Sequence, residues 1–126
     1  MYIINYYIVT LHLPEESNNE TWILGNLKQA GYYRVNYDDR NWQLLIKQLH
    51  EDHTVIDSIS RAQLIEDSFN LGRAEIINQT IFLEIIEYLV NETDPLPFMA
   101  AFKGLQYFDD MLSSEYFSYE YFKVNF

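Results

Sequence analysis

The chain holds three histidines, at positions 12, 50 and 53, and two of them share the stretch HEDH, residues 50–53. Imidazoles interleaved with carboxylates are the raw material of a zinc site. Zinc peptidases place their histidines four apart, as HExxH with a glutamate after the first, or as HxxEH. His50 and His53 are three apart and match neither pattern. The pair therefore reads as a solvated helix end, where an imidazole also interacts favourably with the helix dipole. Carboxylates are paired at Glu15-Glu16, Asp38-Asp39, Glu66-Asp67 and Asp109-Asp110. General acid and base work needs two carboxyls converging in a cleft with one pKa raised. Neighbours on a helix point about 100° apart, so charged surfaces and caps are expected instead. GxSxG, GxGxxG and the Walker glycine loop are absent, and the lack of cysteine excludes disulfides and thiol chemistry. Catalysis by these residues alone is not expected, nor is a metal or cofactor bound by them.

Arg34 is the charge that stands out. It lies between Tyr33 and Val35 in a strand-like run, from which it can reach an acid across a strand-to-helix corner or stack on a tyrosine face. The structural role is the favoured one, because a bidentate pair at a junction between layers fixes geometry.

The elements around that corner follow from periodicity. With 48% apolar residues and only seven Gly and Pro among 126, burial is expected rather than disorder. Residues 2–13 are rich in Tyr, Ile and Val and end at Pro14, a strand pattern. Two further strands are predicted at about 22–28 and 32–37, joined through KQAG, where Gly31 offers the positive φ of a tight hairpin. In the last strand Tyr33, Val35 and Tyr37 share one face, and Tyr32, Arg34 and Asn36 the other, which reads as an edge or solvated surface. The period then changes. Asp38 or Asp39 caps a helix whose Trp42, Leu45, Ile46 and Leu49 recur at i, i+3, i+4 and i+7. A second helix opens near Ser58, with Ser60 and Gln63 spaced as a capping box, and buries Ala62, Leu64, Ile65 and Phe69. A third follows Asn78 and carries Phe82, Ile85, Ile86 and Leu89. In a fourth, Asp94 caps and Pro95 takes the first position, with Phe98, Phe102, Leu105 and Met111 or Leu112 as its apolar stripe. A fifth starts at Ser113 or Ser114. The class is mainly α with a small β portion: strands at the N-terminus followed by stacked helical hairpins, an irregular and truncated α-solenoid.

Charge narrows the partners. Eight Lys and Arg stand against nineteen Asp and Glu, a net charge of −11, and the basic residues form no run. No cationic face is available to neutralise phosphates, so nucleic acid is not an expected partner. The amino end lacks a basic n-region and a small-residue cleavage site, and its apolar run is far short of the about 20 residues that span a bilayer. No signal peptide or transmembrane segment is therefore read in this chain. Three sequons, at Asn19, Asn78 and Asn91, point the other way, towards a secreted or cell-surface parent. Asn19, in a polar loop, is expected to be modified on secretion, and Asn91 to be protected by packing at a helix end.

The stretch WILGNLKQAGYYRVNYDDRNW, residues 22–42, closely resembles the segment that closes the small β-sandwich and enters the helical C-terminal domain in zinc aminopeptidases of the aminopeptidase N type. SRAQLIEDSFNLGRAEII and EYLVNETDPLPFMAAFKGLQYFDDML are similar to the sequel in that family, so the likeness covers about residues 22–112. Phe98 stands where the family has tryptophan, and Gly72 precedes RAE where the family places its small residue later. The resemblance implies a four-domain parent that removes N-terminal residues from peptides with one zinc, held by HExxH and a distant glutamate, and a Gly-x-Met-Glu-Asn motif for the substrate amine. Those motifs do not occur here, so no catalytic or metal residue carries over. Residues 1–37 would be the remnant of a β-sandwich and residues 38–126 the start of a helical bowl that closes over the active site.

On that resemblance Gly31, Tyr32, Tyr33, Arg34, Tyr37, Asp38 and Trp42 form a structural hinge between sandwich and bowl. The chain is expected to be a non-catalytic fragment or truncated relative of such an enzyme, capping and gating an active site whose zinc lies in the parent. Its partner would be the missing catalytic domain or a full-length aminopeptidase, with peptides met only through the parent. The alternative is a stand-alone helical module that docks on an aminopeptidase or self-associates through aromatic side chains at Tyr116–Phe126.

Overall fold

The computed structural model describes residues 7–15, 20–113 and 123. Two strands, β1 (Tyr7–Leu11) and β2 (Tyr33–Tyr37), precede four helices, α1 (Asp39–Asp52), α2 (Ser58–Arg73), α3 (Thr80–Ile86) and α4 (Pro95–Leu112). Short 3-10 turns occupy Leu27–Gln29, His53–Val55 and Glu87–Asn91. The fold is thus mainly α with a small β portion. Trp42, Leu45 and Leu49 of α1 meet Ile65 of α2, Phe82 and Ile85 of α3 and Tyr88 in one buried core. The residues expected to begin a fifth helix, and Asn19, lie outside the described residues.

The expected hairpin does not form. Residues 22–26 are not a strand, and β2 pairs instead with β1, in parallel, with Tyr7 opposite Tyr33 and Leu11 opposite Tyr37. A parallel pair needs a crossover of a dozen or more residues, which the chain between the two strands supplies. The backbone of the 22–26 segment is satisfied by side chains rather than by a strand. Ile23 donates its N–H to Asn41 Oδ1 at 2.8 Å and accepts from Asn41 Nδ2 at 2.9 Å, and Gly25 N–H donates to the Tyr37 hydroxyl at 2.9 Å.

Gly31 does not supply the positive φ. The left-handed positions of this turn are Asn26, Lys28 and Gln29, with φ of 50°, 55° and 54°. Asn26 organises the turn, accepting from Gly31 N–H at 2.7 Å and donating to Gly31 O at 2.9 Å and Tyr33 O at 3.1 Å. Asparagine tolerates this region because its short amide bonds locally. Gly31 is required for space, since a Cβ there would overlap the Tyr33 ring.

Helix boundaries follow their caps. Asp38 caps α1 by accepting from Asn41 N–H at 2.8 Å, and all four residues of the predicted stripe are buried. In α2 the predicted capping box is replaced by Asp57, which accepts from Ser60 N–H at 3.0 Å. Ser60 is free for another task, and its Oγ accepts from Lys28 N–H at 3.0 Å, tying the 3-10 turn to α2. Leu64 and Ile65 are buried as expected, whereas Ala62 and Phe69 are half-buried. Asp94 caps α4 through Leu96 N–H, with Pro95 in the first turn, as predicted.

The buried face of α4 differs from the expected one. Leu105 and Leu112 of the expected stripe pack half-buried against the core, but Phe98, Phe102 and Met111 are exposed, at 43%, 66% and 44%, while Pro97, Ala101, Gly104 and Phe108 are buried. Periodicity allowed either stripe; size chose. Small residues at 101 and 104 let α4 approach closely, and a Cβ on Gly104 would lie 2.5 Å from Phe82 Cζ and 3.1 Å from Phe69 Cδ2. Gly104→Ala is therefore expected to destabilise the protein. Overpacking of about 1–3 kcal/mol outweighs the roughly 1 kcal/mol that alanine gains in helix propensity. A urea midpoint at or above that of the unsubstituted protein would show that the ring of Phe82 moves aside freely.

Candidate functional site at the strand-to-helix junction

The turn from β2 into α1 brings most of the predicted hinge residues together. Asp38 bonds in three directions. Its N–H donates to Leu11 O at 3.2 Å, Oδ1 receives Asn41 N–H, and Oδ2 receives Leu13 N–H at 2.6 Å. Burial raises its pKa, but those two N–H donors, with Arg40 and His12 nearby, outweigh it and hold the carboxyl below the usual range. One carboxylate thus ties β1, β2 and α1. Trp42, fully buried, donates its indole N–H to Asn36 Oδ1 at 3.1 Å and meets the Tyr37 ring edge-on, with centroids 5.0 Å apart. Tyr37 is itself buried, and burial pushes its phenol up to about 12, so its hydroxyl stays neutral as the acceptor for Gly25. Tyr32, at 71% exposure, stays on the surface.

Arg34 reaches an acid, as the favoured reading expects, and the acid belongs to α2. Its Nη1 lies 3.3 Å from Asp67 Oδ1 and 3.9 Å from Glu66 Oε1. Asp67 also accepts from Val35 N–H at 3.1 Å. Of the carboxylate pair 66–67, expected on a charged surface, Asp67 is instead 4% exposed because β2 and its arginine cover it.

A second polar cluster closes the far side of α2. Arg61 makes a bidentate bond to Glu92, Nε to Oε2 at 2.8 Å and Nη2 to Oε1 at 2.9 Å, and donates to the carbonyls of His53 and Ile56. Glu92 accepts in addition from Tyr88 Oη at 2.8 Å and from the N–H groups of Thr93 and Asp94. Burial raises the pKa of Glu92, but Arg61 and these donors outweigh it and bring it down to about 2. Burial pushes the Tyr88 phenol well above its ordinary value, and the carboxylate adds to this. Such an arrangement positions backbone; all its groups are consumed by one another.

The histidines of HEDH diverge. His50 Nε2 lies 3.2 Å from Glu84 O on α3, whereas His53 turns to Glu92, 3.9 Å away, and tilts against the Tyr88 ring. Among the described residues no three His, Asp or Glu side chains are grouped to hold a metal ion. The two histidines of HEDH thus do not converge on a point that could hold zinc. Of the sequons, Asn78 and Asn91 are both exposed, so the expected protection of Asn91 does not hold: the 3-10 turn at Glu87–Asn91 presents it to solvent. The exposed stripe of α4 forms a groove of about 750 Å³ with the end of α3, lined by Ile86, Leu89, Phe98, Phe102 and Leu105. No helix among the described residues is long and apolar enough to cross a membrane.

Type and spacing alone do not pick out Asn41, Arg61 or Glu92, and they assign Gln63 to a capping box. The available signal was a polar residue set among buried apolar positions: Asn41 directly precedes Trp42, and Arg61 and Gln63 flank the apolar face of α2.

The profile of the ERAP1-like C-terminal domain matches residues 22–125. The chain is 53% identical over 92 residues to the thyrotropin-releasing hormone-degrading ectoenzyme of Mus musculus, covering 73% of this chain and 9% of that protein. It is 45% identical over 93 residues to aminopeptidase Ey of Gallus gallus, covering 74% of this chain and 10% of that protein. To aminopeptidase N of Homo sapiens it is 46% identical over 92 residues, 73% of this chain and 9% of that one. The chain therefore spans about a tenth of the length of these relatives. With a fold, a junction and a sequence that agree, it belongs to the ERAP1-like C-terminal domain family, the C-terminal region of enzymes of the aminopeptidase N type.

Proposed function

We propose that these residues serve a zinc metalloaminopeptidase by joining a β layer, residues 1–37, to a helical layer, residues 38–126, that caps and gates the active site. The observation that carries this reading is the bracket at the junction. Asp38 binds Leu13 and Asn41, Asn41 binds Ile23, and Asp67 binds Arg34 and Val35, so β1, β2, the 22–26 segment, α1 and α2 are fixed to one another. A helical cap held so firmly excludes water and limits peptide length without contributing a reacting group. Zinc and the peptide-cleaving residues belong to the catalytic domain, the partner of this surface. The name ectoenzyme carried by one relative, and the exposure of Asn78 and Asn91, support a glycosylated protein at the cell surface.

Two measurements test the reading. The isolated 126 residues, given zinc and aminoacyl fluorogenic substrates, should show no turnover, and zinc-dependent turnover would sink it. In an aminopeptidase N carrying this segment in place of its own, Asn41→Ala should change kcat/KM for peptides of several residues more than for a single-residue substrate. An unchanged ratio, in a variant whose backbone amides at residues 23–25 have lost protection from exchange, would remove the gating role.

A second reading is favoured by the exposed groove beside α4. In it, this apolar face docks on a full-length aminopeptidase. Phe102→Glu should then weaken co-sedimentation with that enzyme, and binding that survives the charge would exclude this face.

A further inference from the structure

Among the described residues, one buried polar atom at the junction has no hydrogen-bond partner: Gln63 Oε1. Gln63 is 5% exposed, and its Nε2 donates to Asp67 Oδ2, 3.3 Å away and one helical turn further along α2. Asp67 also accepts from Val35 N–H on the same oxygen and from Arg34 Nη1 on the other. An ionised carboxylate can only accept, so Gln63 must present its NH₂ and leave its carbonyl oxygen without a donor. Leaving a buried acceptor unpaired is costly. A proton on Asp67 changes that balance, because the acid then carries an O–H, and a Gln63 amide turned over offers the oxygen that receives it.

We propose that Asp67 and Gln63 form a proton-linked latch between β2 and α2, in which Asp67 on taking up a proton exchanges its ion pair with Arg34 for a hydrogen bond donated to the turned Gln63 amide. Arg34 keeps Glu66, already 3.9 Å away and 42% exposed, as its counter-charge. The exchange is confined to a cavity of about 190 Å³ that Gln63, Asp67, Arg34, Tyr33 and Asn26 all line. The titratable groups facing Asp67 are Arg34, Tyr33 and Tyr37 from β2 and Glu66 on α2. The 3-10 turn contributes the neutral Asn26 and Gln29, while the charge of its Lys28 acts on Asp57. Among the described residues, α3 and α4 give this carboxylate no hydrogen bond or ion pair.

The sign follows from burial. Desolvation pushes Asp67 up to about 6, and Val35 N–H, Arg34 and Gln63 draw it back only in part. A folded pKa above the unfolded value of 3.8 means that the stabilisation is complete below that value and is lost as pH rises through about 6. The latch thus closes on mild acidification. Between pH 7.5 and 5 it should raise the folding equilibrium constant about tenfold, relative to a variant in which the group cannot ionise.

The experiment is a carbon-detected NMR titration of the full 126-residue chain, following the Asp67 carboxyl carbon and the Gln63 side-chain amide. Both should move with one midpoint near pH 6. An Asp67 midpoint below about 4.5 would mean that the Arg34 pair holds the group ionised, and it would overturn the proposal. So would a Gln63 amide that does not respond through the Asp67 midpoint. Urea unfolding at the two pH values supplies the second measurement: the tenfold gain should be present in the unsubstituted protein and absent in Asp67→Asn. An equal gain in both would also overturn it. The titration needs no variant, so a poorly folding Asp67→Asn leaves the test intact.

Discussion

Arg61→Ala is expected to lower the unfolding free energy by about 3–5 kcal/mol, the cost of stranding a buried charge. The charge left behind is Glu92, whose side chain is fully buried and whose two oxygens serve Arg61, Tyr88 and two backbone N–H groups. The loss spreads further, because Arg61 also holds the carbonyls of His53 and Ile56 in the α1 to α2 connection. Urea unfolding followed by circular dichroism measures it. A double variant, Arg61→Met with Glu92→Leu, should be much less damaged, because it removes both charges together. Were the double variant as unstable as the single one, packing rather than the uncompensated charge would be the cause.

The same pair sets the acid limit. Glu92 has a folded pKa of about 2 against 4.5 unfolded, so its stabilisation is present above 4.5 and is lost as pH falls through about 2. Glu92→Gln should flatten stability across that window. Asp67 acts in the opposite direction and at higher pH, so the two groups can be told apart in one pH series.

Trp42→Ala is the other large effect, about 3–5 kcal/mol for an aromatic residue lost from a closed core. Trp42 has no exposed surface, fills the angle between β2 and α1, and packs edge-on against Tyr37. Trp42→Phe separates shape from hydrogen bonding. It keeps most of the apolar area and removes the indole N–H, but Asn36 Oδ1 retains the Tyr37 N–H at 2.9 Å. The hydrogen-bond part of its cost should therefore be about 1 kcal/mol. A phenylalanine variant as unstable as the alanine one would show that the indole bond to Asn36, not the packing, secures the corner.

The sequence by itself determined the four described helices and about where they start. The stripe Trp42, Leu45, Ile46 and Leu49 is legible because burial on one side of a helix imposes its period directly, and Asp38 and Asp94 are legible as caps because capping is local chemistry. GYYRVNYDDRNW, residues 31–42, marked the family by its resemblance and the junction by its change of period, although the partners of Asp38, Asn41 and Arg34 lie far along the chain. Tertiary structure decided the rest, wherever a group's partner lies far along the chain. The segment 22–26 has strand-forming residues, yet Asn41, eighteen residues after Ile23, takes its hydrogen bonds. Strand β2 pairs with β1 across the crossover, a choice that period-two alternation cannot make. On α4 two apolar stripes compete, and the closer approach permitted by Ala101 and Gly104 buries one and leaves Phe98 and Phe102 in solvent. Arg61, Asp67 and Glu92 look like surface charges until the fold sets Arg61 against Glu92, thirty-one residues on, and Asp67 against Arg34, thirty-three residues back. Desolvation and pairing belong to positions in space, and a linear chain does not carry those positions in its local pattern.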